Sequence, residues 1–221
     1  MTKRAKSIET KKKILDAAAM VFSKKGYHST TIAEICQLAR VNIASINYHF
    51  GDKESLYIET WKSAFQYAVE KHPPVGDVNK KAPVEMRLKR WIVSMLNRVT
   101  DPACVDIDIA NIELTNSTGL LTEIINTTLE QAFRPLGDLI REILGEAAKE
   151  EDIQLCIISI ISQCTNPLFF KMRKEKDFSP LTHLNIDLEK IAEHVIRFSF
   201  GGLERVKLDI ACQSPKADRE A

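Results

Sequence analysis

Little in this chain of 221 residues belongs to the usual apparatus of catalysis, metal binding or membrane insertion. Its five cysteines, Cys36, Cys104, Cys156, Cys164 and Cys212, form no C-x-x-C pair and have no histidine at ligand spacing. They are expected to be reduced structural thiols, which excludes a disulfide scaffold and a zinc ribbon. His28, His49, His72, His183 and His194 are scattered, and neither H-x-x-x-H, G-x-S-x-G nor a phosphate loop occurs. Without acids, bases or ligands that converge, no enzyme, metal or cofactor is expected. The most apolar run, Ile153 to Ile161, is too short to span a bilayer, and the N-terminus lacks the apolar core of a signal peptide. A soluble, cytoplasmic protein is the expectation. No segment shows strand alternation flanked by turn residues, so the fold class expected is all-α.

An excess of one charge is also missing, with 31 basic against 30 acidic residues. The distribution is uneven. Residues 1–25 hold Lys3, Arg4, Lys6, Lys11, Lys12, Lys13, Lys24 and Lys25 against only Glu9 and Asp16, whereas residues 71–221 carry 20 basic and 23 acidic side chains. A basic end on a nearly neutral chain suits a local phosphate-binding surface, because each neutralised phosphate releases condensed counterions. The rest is not a nucleic-acid surface by charge.

The chain is organised around Thr30 to Lys53, TTIAEICQLARVNIASINYHFGDK. Thr31 and Glu34 have the spacing of a capping box, which starts a helix at about Ile32 with Ile35, Leu38 and Ala39 on its apolar face. Asn42 caps a second helix, Ile43 to Phe50, in which Ile43, Ile46 and Phe50 are expected to point inward. Asn42, Ser45, Asn47, Tyr48 and His49 then face outward. Amides, a hydroxyl, a phenol and an imidazole on one helix face can hydrogen-bond base edges or phosphate oxygens. Gly51 stops this helix and Asp52 caps the next.

From Ile8 to Leu56 the chain resembles the N-terminal domain of TetR-type transcriptional regulators. The residues that carry the likeness are the apolar helix ending in Lys25-Gly26-Tyr27, the Thr30-Thr31 pair, Ala39, Val41, and Tyr48-His49-Phe50 followed by Lys53 and Leu56. The pattern favours alanine where Cys36 stands and glycine in the turn where Arg40 stands. If Arg40 adopts the left-handed conformation usual there, the cost is about 1–2 kcal/mol, and a turn arginine can also touch phosphate. The likeness implies a helix-turn-helix that binds double-stranded DNA. Asn42, Ser45, Asn47 and Tyr48 would reach bases or phosphates, while Thr31, His49 and Lys53 would mainly grip the backbone.

Around this unit, Met1 to Ser7 reads as a basic arm without hydrophobic pattern, expected to stay mobile until it meets DNA. Ile14, Leu15, Ala18, Val21 and Phe22 mark a bracing helix from Ile8 to Gly26, and a fourth helix runs from Lys53 to about Glu70. The break at His72-Pro73-Pro74-Val75-Gly76 separates residues 1–70, a helix-turn-helix DNA-binding domain, from residues 71–221, an effector-binding and dimerisation domain. Helices are expected over Val84–Val99, Pro102–Ser117, Leu120–Leu144 with a kink or division at Pro135, Asp152–Lys174 and Asp187–Leu208, then a disordered polar tail from Gln213. The last two helices are apolar on more than one side, which calls for a second subunit in a two-fold four-helix contact, hence a homodimer. IISIISQC (Ile157–Cys164) and HVIRFSFGGL (His194–Leu203) are loosely similar to regulators of the CecR type, which implies the same effector-binding and dimerising roles.

The expected function is therefore a sequence-specific transcriptional regulator, by resemblance a repressor, released from a palindromic operator by a small-molecule effector. Trp61, Phe65, Trp91 and Met95 are candidate pocket residues, although aromatic and methionine side chains at helical spacing more often form plain core. The alternative is an architectural or cell-cycle DNA-binding protein of the same fold without an effector.

Overall fold

A computed structural model of the chain describes residues 3–74, 81–173 and 187–213, with side chains at residues 4–74, 81–166 and 187–213. The described residues form helices α1 (Lys3–Lys25), α2 (Ile32–Ala39), α3 (Ile43–Phe50), α4 (Lys53–Lys71), α5 (Val84–Thr100), α6 (Asp106–Thr115), α7 (Thr122–Leu144), α8 (Glu150–Arg173) and α9 (Leu188–Gln213). No strand occurs among them, as the all-α reading expects. Lys174 and the tail from residue 214 lie outside the described residues.

The basic arm is a correction. Lys3 to Ser7 are the first turns of α1 and not an unpatterned tail. The alanine and lysine content of the segment favours helix, and Thr10 donates its hydroxyl to the Lys6 carbonyl at 2.9 Å within it. At Pro135 the division does not occur: α7 runs through the proline. The ring removes the N–H that would bond the carbonyl of Gln131, and Gln131 is exposed, so water can satisfy that acceptor. In α2, Leu38 is exposed and Cys36 is buried beside Ile35 and Ala39, so the apolar face is turned by one position from the expected one.

The chain folds into two compact units. The first comprises residues 1–71 and 101–129. Its core is built from Ile14, Ala18 and Phe22 of α1, Ile35 of α2, Ile46 of α3, and Leu56, Tyr57 and Trp61 of α4, to which the returning segment adds Ile109, Leu121 and Ile125. The Phe22 and Tyr57 rings meet edge to face at 4.7 Å. Gly26, with φ +69°, reverses the chain after α1, and a Cβ built on it would lie 2.6 Å from Ile112 Cγ2. Helix α6 therefore presses on the turn that leads to the helix-turn-helix.

A buried carboxylate ties the same segment down. Glu113 Oε2 accepts from the Tyr57 hydroxyl at 3.1 Å, and Oε1 accepts from the Thr118 and Gly119 N–H groups at 2.9 and 3.1 Å. The Trp61 indole N–H donates to the Asp106 carbonyl at 3.1 Å. Hydrogen bonds to a charged acceptor contribute about 1.5–3 kcal/mol each, enough to hold a short helix of mixed polarity in place.

The second unit comprises residues 72–100 and 130–221. Helices α5, α8 and α9 pack against one another in it. Leu88, Ile92, Leu96, Ile140, Ile160, Cys164 and Leu203 are all at most 2 % exposed. All five thiols are free, and burial pushes Cys164 up to about 12, so it remains a neutral, inert core group.

Candidate nucleic-acid interface

The helix-turn-helix is fixed by local chemistry at each end. Thr31 accepts the Glu34 N–H at 3.2 Å while the Glu34 carboxylate accepts the Thr31 N–H, which completes the capping box. Glu34 is also paired with Lys25, so the end of α1 is pinned to the start of α2. That hydrogen bond from Lys25, supported by the N–H of Thr31, holds the Glu34 carboxyl below its ordinary value. Arg40 closes α2 in the left-handed conformation, φ 55° and ψ 46°, and is the only non-glycine residue with positive φ among the described residues. The strain anticipated for it is present.

Helix α3 is then sorted by position. Ile46 and Phe50 are buried, Ser45 and His49 are half-buried, and Ile43, Ala44, Asn47 and Tyr48 are exposed. The exposed four form two adjacent i, i+4 pairs, 43 with 47 and 44 with 48, and so make one continuous outward face. Tyr48 is 80 % exposed and Ile43 54 %. The inward placement expected for Ile43 is thus corrected: with eight residues, α3 buries a stripe only wide enough for Ile46 and Phe50.

The remaining expected contact residues differ in how free they are. Asn42 Oδ1 accepts both the N–H and the hydroxyl of Ser45, each at 2.9 Å, so these two side chains are largely spent on capping α3. His49 stands edge-on to Tyr48 with ring centroids 5.0 Å apart. Lys53 is half-buried with its ammonium 4.2 Å from the centroid of the Tyr27 ring, and burial lowers its pKa. Thr31 and Arg40 are exposed on α2 and its turn.

A surface recess joins α3 to the start of α1, lined by Asn42, Ala44, Ser45, Tyr48 and His49 from one side and Lys6, Ser7 and Thr10 from the other. Thr31, Arg40, Asn47 and Lys53 are not among its lining residues. Sequence reasoning placed Lys6 and Ser7 in a basic arm that meets DNA, but missed that they stand on α1, with Thr10, beside α3. The signal was there in the helical continuation of α1 back to Lys3, since Lys6 and Thr10 are one turn apart and face the same way. A lysine and two hydroxyls beside an amide- and phenol-bearing helix are groups that hydrogen-bond phosphate oxygens and base edges. The effector candidates lie elsewhere. Trp61 is buried in the core of the first unit with Phe65 at 5.5 Å, whereas Trp91 and Met95 are buried in the second, Trp91 with Phe133 at 6.4 Å.

Residues 14–60 match the profile of bacterial regulatory proteins of the tetR family, and residues 84–203 match that of the C-terminal domain of the HTH-type transcriptional dual regulator CecR. The biofilm operon icaADBC HTH-type negative transcriptional regulator IcaR of Staphylococcus aureus (strain Newman) is 42 % identical over 57 residues, which is 26 % of this chain and 31 % of that protein. The similarity to this relative thus spans under a third of its length. Among solved structures, a TetR-like transcriptional regulator from Rhodococcus sp. RHA1 superposes with a TM-score of 0.64 at 18 % identity, over 88 % of this chain and 96 % of that one. The TetR family transcriptional regulator PfmR from Thermus thermophilus gives 0.61 at 20 % identity, over 87 % and 99 %. At these identities the structures speak for the fold.

Proposed function

The chain belongs to the TetR family of bacterial transcriptional regulators, not to a family of enzymes, and on that premise we propose that it represses transcription from a palindromic operator. Regulators of this family bind DNA as dimers. The observation that carries the proposal is the outward face of α3, Ile43, Ala44, Asn47 and Tyr48, flanked by the Lys6 recess. Asn47 and Tyr48 reach base edges. Lys6, Thr31, Arg40, His49 and Lys53 hold phosphates, and Asn42 and Ser45 order the first turn of α3, with the Asn42 side-chain amide N–H groups left to add a contact.

One such helix cannot select a single genomic site, because a good bidentate contact is worth only about 1–3 kcal/mol. A second copy doubles the readout. The dimer forms through α8 and α9, where Leu155, Ile158, Phe198 and Leu208 are each about 60 % exposed. Between them lies a groove of about 230 Å³ that includes Cys156, Ile160, Gly202 and Leu203. Gly201 and Gly202 have no atom within 4 Å of a built Cβ, which leaves room for another helix to approach closely. We assign DNA reading to residues 1–70 and dimerisation with effector binding to residues 71–221. The protein acts on chromosomal DNA in the cytoplasm, and no described helix is long and apolar enough to cross a membrane.

Effector control is read from the second unit. The Trp91 indole N–H is buried without a hydrogen-bond partner among the described residues, beside the Phe133 ring and one turn from Met95. An unpaired buried donor costs about 1–3 kcal/mol, a cost that a small molecule with an acceptor atom would remove. A coupling of about 1–3 kcal/mol between such a ligand and the operator changes affinity by about 5- to 150-fold.

Tyr48→Ala tests the proposal. Operator affinity in a gel shift at fixed salt should fall about tenfold or more, while sedimentation shows an unchanged dimer. Undiminished affinity would remove α3 as the reading helix. Many dispersed genomic footprints in place of a few promoter sites would point instead to an architectural role.

A further inference from the structure

The outward face of α3 is half apolar, and its apolar half lies at the end that meets the bases. Ile43 and Ala44 occupy the first turn, whereas Asn47 and Tyr48 follow one turn later. In helix-turn-helix proteins the N-terminal residues of the second helix contact base edges. The polar groups nearest to them are not in competition for that position, because Asn42 Oδ1 and the Ser45 hydroxyl are bonded to each other. Lys6, Ser7 and Thr10 flank Ala44 across the recess and supply phosphate partners to its side, not base partners in front of it.

We propose that Ile43 and Ala44 recognise the 5-methyl group of a thymine in the major groove, so that each operator half-site carries one thymine whose methyl group is read. This deepens the DNA-binding proposal and rests on it. The major-groove edges present hydrogen-bond donors and acceptors at every base, and the thymine methyl is the sole apolar feature. An isoleucine against it removes two apolar surfaces from water. The same isoleucine against the N4 amine of cytosine or the O6 of guanine strips water from a polar atom and returns no partner. The preference therefore has an attractive and a repulsive part, which is how specificity is usually built.

The size follows from the area of one methyl. Its burial corresponds to about a fourfold change in affinity per half-site, and about fifteenfold when both half-sites of a palindrome lose it. The experiment uses the full chain. Bound duplexes are selected from a random library, and the consensus is resynthesised with 2′-deoxyuridine in place of each symmetric pair of thymines in turn. Affinity is then measured by gel shift at fixed salt for the wild type and for Ile43→Ala. One thymine pair should lose about fifteenfold in the wild type and less than about threefold in Ile43→Ala, a contrast that backbone contacts do not produce.

If a consensus emerges but no thymine is sensitive to loss of its methyl, the inference is wrong while the DNA reading stands. Full sensitivity persisting in Ile43→Ala overturns it as well. If no sequence is enriched, both fail together. The uracil series on the wild type needs no variant, so poor folding of Ile43→Ala cannot rescue the idea.

Discussion

Replacing Gly26 by alanine should be among the most damaging single changes in the first unit, for two separable reasons. Its φ of +69° is a conformation that costs a residue with a Cβ about 1–2 kcal/mol. The new Cβ would also lie 2.6 Å from Ile112 Cγ2, well inside contact distance, and overpacking of this kind costs about 1–3 kcal/mol. Gly26→Ala is thus expected to lose about 2–5 kcal/mol in urea unfolding at fixed protein concentration. Gly119→Ala measures the backbone part alone, because Gly119 shares the positive φ but has nothing within 4 Å of a built Cβ. Ile112→Leu removes the offending branch, so the double variant Gly26→Ala, Ile112→Leu should recover the steric share and leave the backbone share. A Gly26→Ala loss no larger than that of Gly119→Ala, or one that Ile112→Leu leaves unchanged, would refute the claim that α6 is seated on this turn.

Arg40→Gly should stabilise the protein by about 0.5–1 kcal/mol, since it relieves the left-handed strain and returns part of the gain as chain entropy; a shift of the urea midpoint to lower concentration would contradict this. Tyr57→Phe removes the hydroxyl that Glu113 accepts and should destabilise by about 1–2 kcal/mol, read by the same assay, whereas Thr115→Ala, at an exposed site on the same helix, should have a markedly smaller effect. Because the Lys25 hydrogen bond depresses Glu34 below 4.5 in the folded chain, the pair favours folding above that pH and loses its contribution as the pH falls through the lower folded value. Glu34→Gln should accordingly flatten the acid limb of stability as the pH falls below 4.5, and an unchanged limb would show that the pair is not coupled to folding. Phe198→Glu should convert the dimer to monomer in sedimentation at micromolar concentration without changing helix content, and a persistent dimer would move the interface away from α9.

The fold was legible where a pattern repeats. Thr31 with Glu34, Asn42 and Asp52 mark helix starts by side-chain capping, and Gly51 marks a helix end by its positive φ; each acts within four residues, and each of these ends lies where the residues imply. Less legible was anything decided by the width of a buried stripe. Ile43 and Leu38 are apolar and at helical spacing, yet an eight-residue helix resting in a shallow seat covers one stripe only, and both are exposed. The start of α1 was missed because lysine and alanine have high helix propensity but no periodicity to display. The role of Glu113, and of the returning segment 101–129, depends on distant partners such as Tyr57, 56 residues before Glu113, and Trp61, 45 residues before Asp106, and no local signal announces them.

That returning segment limits how the protein can be engineered or recombined. Ile109, Leu121 and Ile125 fill the interior of the reading head, so a fragment cut after α4 would present solvent with the hollow that they occupy. A chimera that borrows residues 1–71 from one parent and everything else from another would have to match two surfaces that were shaped for different neighbours. The transferable cassette is discontinuous, comprising residues 1–71 together with 101–129, and exchange of the first piece without the second should yield aggregation-prone hybrids and not regulators with new addresses.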